Sequence, residues 1–128
     1  MSVPGDLFYT KEHEWVRISG KLGTVGITDH AQKALGDITF AELPAVGKVF
    51  KQSDSMATVE SVKAASDVYA PVSGKIVKRN EVLVSAPETI NKSPYGDGWF
   101  VVIELTDLKD KDKLLSPAAY GKYLEESH

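Results

Sequence analysis

The 128-residue chain carries 42% hydrophobic and 26% charged residues, near globular averages, which excludes disorder and fibrous classes and predicts one domain spanning residues 1–128. Its 15 basic and 18 acidic residues give a net charge of −3 and form no cationic stripe, so nucleic acid is not an expected partner. The absence of cysteine excludes disulfide scaffolds, thiolate zinc sites and cysteine nucleophiles, and no signal-like or membrane-spanning apolar run occurs; the expectation is a cytoplasmic monomer, or a mitochondrial-matrix protein if the chain was processed from a eukaryotic precursor.

In chain order, the first half reads as short strands broken by turns. "EWVRI" (14–18) alternates Trp15 and Arg17 on one face with Val16 and Ile18 on the other; after the turn "SGK", "GTVGI" (23–27) completes a hairpin. "TDHAQKALG" (28–36) supplies Thr28 or Asp29 as a cap, good helix formers and a terminal Gly36, which predicts a helix of about two turns. "DITFAEL" (37–43) resumes strand alternation, with Ile38 and Phe40 expected on one side.

"GKVFK" (47–51) and "GKIVK" (74–78), 27 residues apart, are strands with a faint echo of one another. Between them lie the strand-like "SMATVE" (55–60) and "DVYAP" (67–71). The loop 82–98 has room for one helical turn, and "WFVVIEL" (99–105) reads as a strand buried on both faces. "DLKDKDK" (107–113) reads as a solvated connector. The tail "SPAAYGKYLEE" (116–126) has a Ser cap, Pro at the first helical position and Tyr120, Tyr123 and Leu124 on one face. Gly121 weakens this helix by about 1 kcal/mol relative to Ala, so packing must hold it. The predicted class is mostly β: a flattened barrel or sandwich of short strands with a short internal helix and a C-terminal helix, the core running over about 7–105.

Motifs of catalysis and metal binding fail on spacing. "HEWVR" (13–17) places Arg17 where a zincin needs its second His, and the glycines match no dinucleotide fingerprint. The acids at 107, 110 and 112 miss EF-hand spacing, and there is no G-x-S-x-G elbow. No catalytic residue and no metal ligand is assigned. The three histidines read as partly exposed polar residues, and a small hydrolase built on His13 or His30 is the catalytic alternative.

The informative stretch is "ESVKAASDVYAPVSG" (60–74). Met56, Thr58 and Glu60 alternate with Ala57 and Val59, Ser61 to Ser66 turn the chain, and Val68 starts the return. That places Lys63 at a hairpin tip, its amine in solvent and small Ala64 and Ala65 beside it.

This stretch resembles the lipoyl-lysine motif of the glycine cleavage system H protein family. "YTKEHEWV" (9–16), "GITDHAQKALGDI" (26–38), "ELP" (42–44) and "SPYGDGW" (93–99) follow that family's pattern in order, so the resemblance runs from about Leu7 to Glu126. Biotin carriers differ in placing Met on both sides of the lysine, where Val62 and Ala64 stand here. The lipoyl domains of acyltransferases are shorter and lack the "HEW" start and the C-terminal helix.

The resemblance implies a lipoyl-domain-like hybrid fold and a carrier without catalysis of its own, bearing lipoic acid as an amide on Lys63. It implies three partners: a pyridoxal-phosphate glycine decarboxylase (P protein), an aminomethyltransferase (T protein) and a dihydrolipoyl dehydrogenase (L protein). A lipoate-attaching enzyme would read Glu60, Ser61, Val62 and Ala64 around the lysine. Glu14 and Asp67 match family positions near the groove that shelters the loaded arm, while "SPYGDGW" shapes a turn with Trp99 in the core. A lipoyl relay protein, donating its group to other acceptors, is the alternative role. Two positions depart from some members of the family: Glu12 stands where they carry Ser and Ala34 where they carry His, so contacts by those side chains do not transfer. The turn "KQSDS" (51–55) stands where members often have Gly, which leaves its geometry open.

Overall fold

The computed structural model describes residues 3–126. Among these residues, nine strands form two open antiparallel sheets. The larger contains β1 (Phe8–Tyr9), β2 (Glu14–Ser19), β3 (Leu22–Ile27), β5 (Val49–Phe50), β8 (Gly74–Arg79) and β9 (Val101–Leu105) in the order β1-β2-β3-β9-β8-β5. The smaller contains β4 (Ile38–Glu42), β6 (Ser55–Ser61) and β7 (Ala65–Tyr69) in the order β4-β6-β7. The two lysine-bearing echoes are sheet partners, Val49 opposite Lys75 and Phe50 opposite Gly74. No helix among the described residues is long and apolar enough to cross a membrane.

Both sheets contribute to one apolar core. Val16, Val25, Ile76 and Ile103 come from the larger sheet and Ala41, Val59 and Val68 from the smaller, all buried. Alternation predicted β2 well: Val16 faces this core, while Trp15 turns to a second cluster with Leu7, Tyr9, Tyr120 and Leu124. Arg17 shares the face of Trp15, its Cζ 5.3 Å above the indole. Gly26 lies opposite Trp15, and a Cβ there would stand 2.6 Å from the indole carbons. The bare backbone makes the space that the ring fills.

Helix α1 (Asp29–Leu35) starts at Thr28, whose hydroxyl accepts from the Ala31 amide, and stops at Gly36, φ 80° and ψ −157°, a region essentially reserved for glycine. The C-terminal helix α4 (Pro117–Glu126) is capped by the Ser116 hydroxyl, which accepts from the Ala119 amide. Packing offsets its weak propensity: Tyr120 stacks on Tyr9 at 4.4 Å, and its hydroxyl lies 2.8 Å from both Thr28 Oγ1 and His13 Nδ1. Tyr120 and Leu124 are buried and Tyr123 is half-buried against them.

Four expectations are corrected. Phe40 is 47% exposed while Ile38 is buried, because the register with β6 shifts between them and turns Phe40 outward. Strand β9 is buried on one face only, with Val101, Ile103 and Leu105 inward and Glu104 in solvent. The 82–98 loop holds two short helices, α2 (Val82–Ser85) and α3 (Thr89–Lys92), each burying one apolar side chain, Leu83 and Ile90. The acidic-basic connector is a 3-10 segment, Leu108–Lys113, in which Asp110 is buried and accepts from the Ser73 amide at 2.8 Å.

The 51–55 turn closes by hydrogen bonds from the Lys51 amide to Asp54 Oδ2 and from the Asp54 amide to Lys51 O. Ser53 takes φ 78° there, the left-handed conformation that glycine adopts without strain. Ser53→Gly is therefore expected to raise stability by about 1 kcal/mol, read in a thermal melt as a Tm increase of roughly 4 °C. A lower Tm would contradict the strain reading.

Candidate functional site: the lysine hairpin and its groove

Strands β6 and β7 pair from Ser55–Tyr69 to Glu60–Ala65, leaving Ser61 to Ala64 as the tip. Val59 and Val68, both buried, root the hairpin in the core. The tip is organised by one hydroxyl: Ser61 Oγ accepts from the amides of Lys63 at 3.2 Å and Ala64 at 3.1 Å. The Ser61 amide donates to Ala64 O at 2.8 Å, which closes the turn.

The tip is also fastened sideways. The Val62 amide donates to Asp37 O at 3.0 Å, in the turn between α1 and β4, and Thr39 Oγ1 of β4 donates to Glu60 O at 3.2 Å. That turn is held by Asn91 of α3, whose Nδ2 donates to Gly36 O and Gln32 Oε1, both at 2.9 Å, while its Oδ1 accepts from the Ile38 amide at 2.9 Å. Satisfying backbone groups this way restricts the loop without a side-chain lid.

Lys63 is exposed, and none of the ion pairs found among the described residues involves it. Val62, Ala64 and Ala65 beside it are exposed as well, Val62 by 68%. Glu60 is exposed at the end of β6. The structure thus gathers Glu60, Ser61, Val62, Lys63 and Ala64 into one surface, with Ser61 holding the turn from within it.

Glu14 and Asp67 stand outside the tip, on β2 and β7. Glu14 is 2% exposed at the start of β2; its carboxyl accepts from Thr10 Oγ1 at 2.6 Å and from the Tyr69 amide at 3.2 Å. The second bond links the larger sheet to β7 of the smaller. Burial pushes the Glu14 carboxyl up to about 7, against these hydrogen bonds, which favour the charged form; the Glu12 charge raises it further. Glu14 lines a groove of about 480 Å³ with Gln52, Tyr69, Pro71, Lys113 and Leu115 among its walls. Asp67 is exposed on β7, opposite Thr58, on the same strand face as Tyr69.

Sequence reasoning missed Thr10, Tyr69 and Asn91. Asn91 reaches its partners across 53 to 59 residues, which no local pattern signals. His13 and His30 are partly exposed, as read from the sequence; what the sequence did not signal is that their rings lie 4.3 Å apart at a 33° tilt, with His13 at φ 71°, and that burial together with the His30 charge lowers the pKa of His13. His128 lies outside the described residues. Trp99 is half-buried at the second cluster, whereas Trp15 is fully buried and donates to Ile27 O and Pro94 O, both at 3.0 Å, anchoring the "SPYGDGW" turn.

The Glu14 shift has a stability consequence of definite sign. Its folded value, about 7, lies above the unfolded 4.5, so the carboxyl supports the fold fully below the unfolded value and that support is lost as pH rises through about 7. Denaturant titrations at about pH 5 and about pH 8 should show wild type losing on the order of 3 kcal/mol from this group, a loss absent in Glu14→Gln. Equal pH dependence in both proteins would refute the assignment.

Comparison with known proteins agrees with this geometry over almost all of the chain. The profile of the family described as "Glycine cleavage H-protein" matches residues 7–127. A glycine cleavage system H protein of Carboxydothermus hydrogenoformans is 54% identical over 124 residues, 97% of this chain and 95% of its own length. One from Stenotrophomonas maltophilia is 54% identical over 125 residues, with coverages of 97% and 95%. The crystal structure of a glycine cleavage system H protein from Mycobacterium marinum superposes with a TM-score of 0.89 at 39% identity, covering 96% of this chain and 99% of that one. The chain belongs to the glycine cleavage H-protein family.

Proposed function

We propose that this protein is the lipoyl-bearing carrier of a glycine cleavage system, with the lipoyl group held as an amide on Lys63. In this role it shuttles the aminomethyl unit of glycine from the P protein to the T protein, and the L protein reoxidises the arm; the chain itself is not a catalyst. The observation that carries the reading is the exposed Lys63 amine, without an ion pair among the described residues, on a tip whose backbone is fixed by Ser61 and Asp37.

The residues fit the group chemically. An amine free of a carboxylate partner reacts as a nucleophile without first breaking a pair, and the small side chains of Ala64 and Ala65 leave room for an attaching enzyme. Glu60, Ser61, Val62 and Ala64 form the surface that enzyme reads, Ser61 by holding the turn and the other three by presenting exposed side chains. The lipoyl group, when bound, supplies the disulfide and dithiol chemistry that a chain without cysteine lacks. A rigid base confines the volume that a tethered arm searches and makes its meeting with a docked partner intramolecular.

The groove completes the role. One or both of two carboxylates, that of Glu14, which lines the groove, and that of Asp67, exposed on β7 outside its walls, accept hydrogen bonds from the cationic amine of the cargo, which shields the loaded arm from water. At neutral pH the Glu14 carboxyl is poised between its two forms, and an ammonium group beside it favours the charged one.

Incubation with lipoate, ATP and a lipoate ligase should add one lipoyl group by intact mass, and Lys63→Arg should add none. Modification of the Arg variant would overturn the attachment site. Hydrolysis of the loaded arm should quicken in Glu14→Ala and Asp67→Asn; unchanged lifetimes in both would remove the groove from the function.

A further inference from the structure

The Lys63 side chain does not stand clear of the protein over its full length. Its stem crosses Gly36, the residue that ends α1: a Cβ built on Gly36 would stand 3.3 Å from Lys63 Cε, 3.8 Å from Cδ and 3.9 Å from Nζ. The bare Cα of Gly36 is therefore the floor under the last three atoms of the side chain. That floor is fixed independently of the lysine. The Gly36 amide donates to Gln32 O, its carbonyl accepts from Asn91, and the neighbouring Asp37 carbonyl accepts from Val62, one residue before the lysine. Backbone and side chain of the hairpin tip thus rest on the same turn.

We propose that Gly36 is a positioning residue for acylation of Lys63: its missing side chain forms a seat that lays the lysine stem in one direction and aims the amine at the active site of the attaching enzyme. This inference rests on Lys63 being the attachment site. A lysine stem has several rotatable bonds, and holding it in one course before docking lowers the entropy lost when the amine is brought to the activated acyl group. The effect acts on the amine's aim and leaves the surface that the enzyme grips unchanged. It therefore appears in kcat and spares KM.

Two glycines separate this role from backbone strain. Gly36 and Gly47 both have positive φ, 80° and 97°, but a Cβ at Gly47 meets nothing within 4 Å. Gly36→Ala adds strain and pushes Lys63 Cε aside by a few tenths of an ångström, whereas Gly47→Ala adds strain without touching the lysine.

The experiment is a steady-state assay of lipoate ligase acting on the full chain with ATP and lipoate. It is accompanied by proton NMR of the unmodified protein, observing the nuclear Overhauser effect between Lys63 Hε and Gly36 Hα. Wild type should show the effect. Gly36→Ala should lose kcat by about tenfold with KM unchanged, and Gly47→Ala should stay within about twofold of wild type. Equal behaviour of the two alanine variants, or a fall confined to KM, would overturn the proposal. Should Gly36→Ala not fold, the Overhauser effect in wild type decides: its presence supports the seat and its absence removes it. Lipoylation of Lys63→Arg would instead overturn the attachment site itself, a result distinct from any of these.

Discussion

Everything at the functional end of the molecule depends on how a four-residue tip is kept from fluctuating. The Ser61 hydroxyl satisfies two amides inside the turn, and the Val62 amide is spent on the Asp37 carbonyl outside it. None of these three bonds involves the lysine side chain. The backbone around Lys63 is consequently fixed while its amine stays in solvent, two requirements that a buried or ion-paired lysine could not meet together. Holding by main-chain groups leaves the outward side chains of the tip free for recognition.

The anchoring passes inward through polar contacts that cross between elements. Asn91 joins the end of α1 to the start of β4, and Glu14 joins β2 to β7. Such groups cost desolvation and repay it only when every lone pair finds a donor. Glu14 shows the tension: burial pushes its carboxyl up to about 7 against the hydrogen bonds that favour its charged form. The second cluster is tied instead by aromatic packing, where Tyr120 of α4 stacks on Tyr9 of β1 and meets the hydroxyl of Thr28, the cap of α1.

Much of this was legible in the residues. Period-two alternation placed Trp15 and Val16 on opposite faces, Thr28 and Gly36 bounded α1, and Ser116–Pro117 opened α4. The tip was legible because the turn and the small residues around Lys63 fall together in sequence. The exposure of Phe40 was not, because a register shift is decided by the partner strand and leaves no mark in a local pattern. The burial of Asp110 was hidden for a similar reason: alternating charges read as solvated until the Ser73 amide arrives from β8's entry. The polar partners of Glu14 and the clamp by Asn91 are tertiary facts, set by long-range pairing. The seat at Gly36 combines both kinds, since the sequence marks the glycine as a helix stop and only the fold brings Lys63 across it.

The central claim is that the backbone at the lysine is stiff. Nitrogen-15 relaxation of the unmodified protein tests it at one amide, that of Val62. An order parameter of about 0.85, equal to the flanking strands, is the predicted result, and a value below about 0.6 would contradict the account.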